Sequence, residues 1–509
     1  MSGSSVVGGV PPARPPSGAE PSRPEPPRTG LPGTELSGTE LSGTEPSRPE
    51  LPGTELSGRV NALIRERFAG RRCVVLSTAA SHIAPVVEAL VEAGAAGVLA
   101  GVADHATGER FGPGVTVHHI PVTATSRDGL AAAFTRALAE PPPGLVAALD
   151  RFDPERRALV LDTRDLPGDR LAGRQRYGHR RPEWAAFEDK TLVDRVWRAA
   201  GIPSSPSSVL PPRPEALLPE AARLDAGHGT VWAADTRSGI HTAAEGTRWI
   251  RGEAEGRRAL PFFAGRCSLV RVMPFVEGLP CSVHGLVLPR GIAVLRPLEL
   301  IVLRDQEHRF IFAGTSTYWD CPPDAAHRIR EAARAVGAAL RSLCDYRGGF
   351  TVDGVLSADG FAPTEVNARL GSGLNLDATR PDLRLDLLNR LLREGDAALL
   401  CPEQVEAEML AALESVRAAN VKIPLPSRPA TYGAASLAWH AGRWRPAAGD
   451  EPPAAVLSTE RSSVGDIMRL RPISPALRGA PMSAAAVAAF RLGQEVLRAP
   501  VPRLTAPRW

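Results

Sequence analysis

The chain has 509 residues, 43% of them apolar, with 60 basic and 56 acidic side chains and a net charge of +4. That is enough apolar material for several buried cores, and a charge this close to balance gives no support to a nucleic-acid partner. It contains no run of about 18 apolar residues and no basic-then-apolar start, so neither a membrane span nor a signal peptide is expected, and the cytoplasm is the expected location.

Residues 1–58 are rich in Pro, Gly, Ser, Thr and Glu, and the octapeptide at 31–38 recurs unchanged at 51–58. Such a composition cannot bury a core and predicts a disordered tail. From Arg72 the pattern changes. Strands are predicted at 73–76, 97–101, 115–122 and 158–162, and helices at 82–93 and 128–138. This alternation predicts a small doubly wound α/β domain over 59–182, with ligands expected near Ser77, Thr78 and 101–104 at the strand ends. No GxGxxG follows the first strand, which speaks against a dinucleotide. The stretch 170–181 holds five arginines and a histidine and reads as a solvent-facing linker or an anion-binding loop.

A helix is predicted over 183–201, stopped by Gly201-Ile202-Pro203. Two short strands lie within 229–251, and strands at 269–276 and 282–288 flank Glu277-Gly278. The segment 292–303 continues that sheet, 325–344 is a long amphipathic helix and 380–400 a further one. Beyond about 425, a hairpin through 430–440 and Trp444 and a helix at 484–497 suggest an additional module within 401–509. Six cysteines at 73, 267, 281, 321, 344 and 401 form no CxxC pair, so reduced thiols are expected rather than a zinc site or a disulfide framework.

The most informative stretch is Asp353, followed twelve residues later by Glu365-Val366-Asn367-Ala368-Arg369 and a glycine-rich turn containing Gly371 and Gly373. Residues 349–356 and 361–367 read as strands around the turn Ala358-Asp359-Gly360. The hairpin places Asp353 across from Glu365 or Asn367, which are two apart and share a face. Three hard oxygen donors on one surface suit magnesium, which keeps several waters and shares its shell with phosphates. Among the 60 basic residues only Lys190 and Lys422 are lysines, and lysine is a compact charge that approaches phosphate closely.

Taken in order, Glu188-Asp189-Lys190 ahead of a helix ending in Gly201-Ile202-Pro203, the hinge-like 270–278, and the Asp353, Glu365 and Asn367 set resemble the ATP-grasp superfamily over about 180–400. Within it the chain is most similar to peptide and amino-acid ligases of secondary metabolism, including the pheganomycin-type peptide ligase. The resemblance implies an α/β and α+β multidomain fold: a pre-ATP-grasp domain at 59–182, a two-lobed ATP-grasp domain at 183–400 (lobes 183–270 and 271–400), and the C-terminal module. It implies that Lys190 contacts the nucleotide phosphates and that Met273, Phe275, Val276 and Glu277 line the adenine. Asp353, Glu365 and Asn367 would hold magnesium, with manganese as an alternative, and Arg369 would reach a phosphate or an acyl phosphate.

The implied activity is an ADP-forming carboxylate-amine ligase acting on small molecules, an amino acid or peptide, with no nucleic-acid or membrane partner and a homodimer left open. One departure stands out: the strand that often carries a second lysine reads Val231-Trp232-Ala233-Ala234. Arg237, His241 and Arg248 are candidates for the missing charge, with Arg237 favoured. Arg296 is a candidate for gripping the substrate carboxylate and Glu299 for the amine; Ser282, His284, Tyr318 and Trp319 are further cleft candidates. The rival readings are an ATP-binding module without turnover and a kinase- or carboxylase-type ATP-grasp enzyme.

Overall fold

The computed structural model describes residues 54–509 apart from 104–110, 125–126, 163–167, 237–243, 372–379, 416 and 462–464. Helix α1 (Thr54–Phe68) begins inside the stretch expected to be tail. Its Leu56, Val60, Ile64 and Phe68 recur every fourth residue and are all buried, so they form one helical stripe. A chain shortened to begin at Arg59 should therefore melt below one beginning at Leu51, by the equivalent of about 2–5 kcal/mol for a lost buried leucine. Equal melting temperatures would remove Leu56 from the core.

Strands β1 (Arg72–Ser77), β2 (Gly97–Val102), β3 (Val115–His119) and β4 (Leu159–Asp162) form a parallel sheet in the order β3-β2-β1-β4. Its central strands are unbroken apolar runs because both faces are covered. Helices α1 and α2 (Ala84–Glu92) pack on one side, and α3 (Arg127–Ala139) and α4 (Pro143–Phe152) on the other. The arginine-rich stretch that follows is not a solvated linker. It forms the small hairpin β5 (Arg170–Leu171) and β6 (Arg174–Gln175), and Arg174, Arg176 and Arg180 are buried. Arg174 pairs with Asp153 at 3.0 Å, Arg176 with Asp162 at 2.7 Å, and Arg180 with Glu188. These three cations are internal because each meets an acid of its own chain, whereas Arg170 is exposed and donates to Gly173 O at 2.8 Å.

The helix predicted over 183–201 is two pieces, α5 (Pro182–Ala185) and α6 (Val193–Ala200), separated by a 3₁₀ turn and the non-helical residues 189–192. Asp189 causes the break. Its carboxylate accepts from Thr191 N at 2.9 Å and Thr191 Oγ1 at 2.6 Å, offering the backbone an alternative to the helix. Gly201, at φ 64, ends α6 in the left-handed conformation expected of it.

The first lobe is an antiparallel sheet, β7 (Ser208–Leu210), β8 (Thr230–Ala234), β9 (Thr247–Ile250) and β10 (Val270–Pro274), in the order β7-β10-β8-β9. Helices α7 (Pro214–Leu224) and α8 (Glu253–Ala264) cover the face carrying Trp232, Val270 and Val272. By alternation and register, Val209, Val231, Ala233, Thr247, Trp249, Arg271 and Met273 share the inner face.

The second lobe holds β11 (Leu279–Leu288), β12 (Gly291–Val294), β13 (Leu298–Arg304), β14 (Phe310–Ser316), α9 (Pro323–Cys344), β15 (Gly348–Ser357) and β16 (Gly360–Asn367). Two helices follow, α10 (Leu385–Glu394) and α11 (Pro402–Ser415). The remaining strands are β17 (Ala419–Pro424), β18 (Ala434–His440), β19 (Arg443–Pro446), β20 (Ala455–Glu460) and β21 (Ile467–Pro472), before α12 (Ser483–Val496). The C-terminal segment is not a separate layer: β17 pairs with β14, so an 11-stranded antiparallel sheet runs through both regions. Helix α9 packs under β11, β15 and β16, and α12 under β13, β17, β20 and β21. The result is a mixed α/β multidomain architecture dominated by one large antiparallel sheet.

Candidate active site

The hairpin β15–β16 starts regularly, with Ser357 opposite Gly360, Leu356 opposite Phe361 and Gly354 opposite Pro363, then slips by one: Asp353 faces Glu365 and Thr351 faces Asn367. An uninterrupted ladder would pair Asp353 with Thr364 and turn Glu365 toward α9, where Val352, Phe361 and Val366 pack. Thr364 is thus the extra residue of a β-bulge, and that one residue brings both carboxylates to the open face. Pro363, which has no N–H for the ladder, stands beside the break.

On that face Asp353 Oδ1 accepts from Ser282 Oγ at 2.5 Å and Oδ2 from Asn367 Nδ2 at 3.0 Å. Asn367 Nδ2 also donates to Thr351 Oγ1 at 3.1 Å, and its Oδ1 accepts from Arg369 at 3.1 Å. Lys190 Nζ lies 2.8 Å from Glu365 Oε2. Burial, with the facing charge of Glu365, pushes the Asp353 carboxyl up to about 6. A cation between the two carboxylates would relieve both penalties, so the donor set fits a hard divalent ion. No group of three or more His, Cys, Asp or Glu suited to a metal occurs among the described residues. The site offers two carboxylates and an amide, which matches magnesium better than zinc. For Asn367 to give its amide oxygen to that ion, the amide must rotate by half a turn and exchange its bond to Arg369.

Glu188, Asp189 and Lys190 sit at the break between α5 and α6; Glu188 and Lys190 reach the end of β16, and Asp189 the end of β8. Glu188, 3% exposed, binds Arg180 and lies 3.1 Å from Arg369 Nε. Asp189 Oδ2 accepts from Thr236 N at 3.4 Å and Oγ1 at 3.3 Å, at the start of the loop leaving β8. Lys190 takes Glu365. The sequence flagged Lys190 by its rarity, whereas the holding roles of Glu188 and Asp189 carried no signal beyond adjacency.

At the hinge, β10 ends at Pro274 and β11 begins at Leu279, so Phe275, Val276 and Glu277 cross between the lobes. Met273 is buried on the inner face, opposite Val231. The Phe275 ring is not free to stack on a base: it is already stacked on Trp249, centroids 4.1 Å apart and 17° from parallel, with the Arg304 guanidinium 4.9 Å from it. The Glu277 carboxylate is held by both terminal nitrogens of Arg304, at 3.0 and 2.7 Å, and accepts from Arg508 N at 3.0 Å. These two side chains fasten the lobes; of the four residues expected to line an adenine, Met273 and the half-buried Val276 are not engaged in these contacts.

Of the candidates for the missing second lysine, Arg237 and His241 lie outside the described residues. Arg248 pairs across from Trp232 on the helix-covered face and rests 3.7 Å above Phe262, so it points away from the cleft. Arg296 donates to Trp319 O at 2.8 Å, Asp320 at 3.1 Å and Glu414 at 3.0 Å; its charge is answered within the protein rather than presented to a substrate. Glu299 is fully buried and caps α12, accepting from Met482 N at 2.5 Å and Ser483 N at 2.8 Å. That excludes it as an amine-binding surface. Tyr318 and Trp319 are core residues. His284, 3% exposed, lies on the same face as Ser282 and beneath Gly371, and neither ring nitrogen has a hydrogen-bond partner among the described residues.

No family model and no curated protein matches the chain. Solved structures do. Pyruvate carboxylase of Rhizobium etli superposes with a TM-score of 0.50 at 15% identity, covering 86% of this chain and 38% of that one. N5-carboxyaminoimidazole synthase of Aspergillus clavatus, solved with ADP and 5-aminoimidazole ribonucleotide, gives 0.46 at 12% identity over 84% and 99% of the two chains. An L-amino acid ligase of Bacillus licheniformis gives 0.42 at 13% identity over 80% and 94%. The likeness to the carboxylase is one of fold alone.

Proposed function

We propose that the chain is an ATP- and magnesium-dependent ligase joining a carboxylate to an amine through an acyl phosphate, acting on an amino acid or peptide in secondary metabolism. The observation that carries this reading is the cross-strand Asp353–Glu365 pair, flanked by Lys190 and Arg369 and facing the inner side of the first lobe.

Bound magnesium would neutralise charge on the β- and γ-phosphate oxygens; Asp353 and Glu365 would hold it, with Asn367 completing the set after its amide turns. Lys190 and Arg369 place positive charge on the same face, where the moving phosphoryl group needs it. In the first step a substrate carboxylate oxygen attacks the γ-phosphorus and the bond to ADP breaks. In the second an amine nitrogen attacks the acyl carbon, phosphate leaves, and the amine proton passes to solvent. Glu188 keeps Arg369 aimed at the cleft, and Asp189 ties the loop after β8 to the helix break. Arg296 is assigned to bracing β13 rather than to the carboxylate.

A second reading is favoured by one observation: Ala233 stands on the inner face where a second lysine is often found, which suits a nucleotide-binding module without turnover. Incubation with magnesium-ATP and pooled amino acids and peptides, read by ADP release and product mass spectrometry, separates the cases. ADP release requiring a carboxylate and an amine together supports the ligase. Nucleotide binding without any product selects the module, and ADP formed with a carboxylate or bicarbonate alone selects a kinase- or carboxylase-type enzyme.

A further inference from the structure

We propose that Arg271 is a positioning residue for the metal-binding strand, holding the Thr364 bulge from the opposite lobe and so fixing Glu365 across from Asp353. This rests on the reading of Asp353 and Glu365 as magnesium ligands.

Arg271 is wholly buried, and by register it is the one charged side chain on the inner face of the first-lobe strands among the described residues. An arginine is buried at this depth only when its fork is matched. One edge of the fork is matched by α6: NH2 lies 2.7 Å from Asp194 Oδ1 and Nε 3.4 Å from Oδ2, with Ser207 Oγ at 3.3 Å. Ser207 in turn donates to Asp194 Oδ2 at 2.5 Å. The other end points across the lobes, where NH1 donates to Thr364 O at 3.3 Å and approaches Met273 Sδ at 3.1 Å.

Thr364 is the residue that the ladder skips, so its carbonyl needs a donor from elsewhere, and leaving it without one would cost about 1–3 kcal/mol. Its own Oγ1 donates to Asp353 O at 3.2 Å. The bulge is thus held from within the hairpin by Thr364 and from the other lobe by Arg271. Removing the bulge sends Glu365 to the α9 face, so a side chain that secures it acts on the metal site without touching the metal. Lysine cannot do the same work, because a single ammonium cannot serve Asp194 and Thr364 O together. Since Arg271 also borders Met273 on β10, it links the hinge strand to the metal strand.

The test uses the full chain with Arg271→Lys and, independently, Asp194→Asn, which leaves the arginine in place but weakens its anchor. Manganese binding is followed by electron paramagnetic resonance with a non-hydrolysable ATP analogue, and a fluorescent nucleotide is titrated separately in chelator. Arg271→Lys should weaken manganese binding by about 10-fold, at the lower end for residues that orient a metal ligand, and Asp194→Asn by less, about 3-fold, because the arginine itself remains. Nucleotide affinity in chelator should fall less than manganese affinity, because on the hinge side Arg271 reaches only Met273 Sδ, at 3.1 Å. Folded variants with unchanged manganese binding overturn the role, as does lost nucleotide affinity with manganese binding intact, which would make Arg271 only a hinge brace. Wild-type protein that takes up no manganese overturns the site reading instead, and this role with it. If Arg271→Lys does not fold, Asp194→Asn alone decides.

Discussion

Replacing Glu365 with Gln lowers ATP-dependent turnover by about 10²–10³-fold, the loss expected when one fixed charge is removed from a phosphoryl-transfer site. Gln keeps the shape and one oxygen, so the hairpin register and the bulge survive and the change isolates charge. Asp353 then faces a neutral amide and loses one of the two influences that raise its carboxyl to about 6. Lys190 loses its ion-pair partner at 2.8 Å. Metal affinity should fall in parallel with turnover, measured by manganese titration, while circular dichroism stays unchanged. Retained activity would place the magnesium elsewhere, and lost activity with wild-type metal affinity would make Glu365 a partner of Lys190 rather than a ligand.

Why the acidic hairpin was legible and its register was not follows from local chemistry. The turn at Ala358-Asp359-Gly360 and the β-rich flanks fix a hairpin, so Asp353 must lie near Glu365 or Asn367, but which one depends on a bulge that periodicity alone does not predict. A trace of it does exist in the sequence. Phe361 and Val366 both pack toward α9 although five residues apart, an odd spacing that a regular strand forbids, and Pro363 lies between them. The arginine-rich 170–181 was misleading in the opposite sense. Charge runs usually face water, but Arg174, Arg176 and Arg180 are matched by Asp153, Asp162 and Glu188, acids outside the run whose pairing only the fold reveals.

The helix at 183–201 shows the same limit. Its apolar spacing is helical on both sides of Asp189, and the break comes from one side chain capturing the backbone at Thr191. That break is what frees Lys190 to reach across to β16. Likewise Glu299 carries the sequence signature of a cleft acid, on a strand beside Ser282, but alternation places it on the other face, where α12 needs a cap. Strand β13 therefore gives Glu299 to the C-terminal helix and Arg304 to the hinge, where it holds Glu277, which ties the last part of the chain to the second lobe.

Lys190→Met is expected to have the second large effect, and its signs separate two roles of one lysine. If Lys190 contacts phosphate, removing the charge should weaken nucleotide binding by about 10- to 100-fold, the equivalent of about 1.5–3 kcal/mol for a charged hydrogen bond. The same change leaves Asp353 and Glu365 facing each other with no ammonium beside them. Both lie on a partly enclosed surface, Glu365 with 26% of its side chain exposed, so like-charge repulsion there is incompletely screened. The variant should melt below wild type in chelator, and magnesium should raise its melting temperature by more than it raises that of wild type, because the ion replaces the lost charge. Lys190→Arg should restore much of the melting temperature but less of the nucleotide affinity, since a planar fork cannot approach a phosphate oxygen as a compact ammonium does. A variant with normal nucleotide affinity but the full loss of stability in chelator would confine Lys190 to its ion pair with Glu365, and the phosphates would then have to be held from the other lobe.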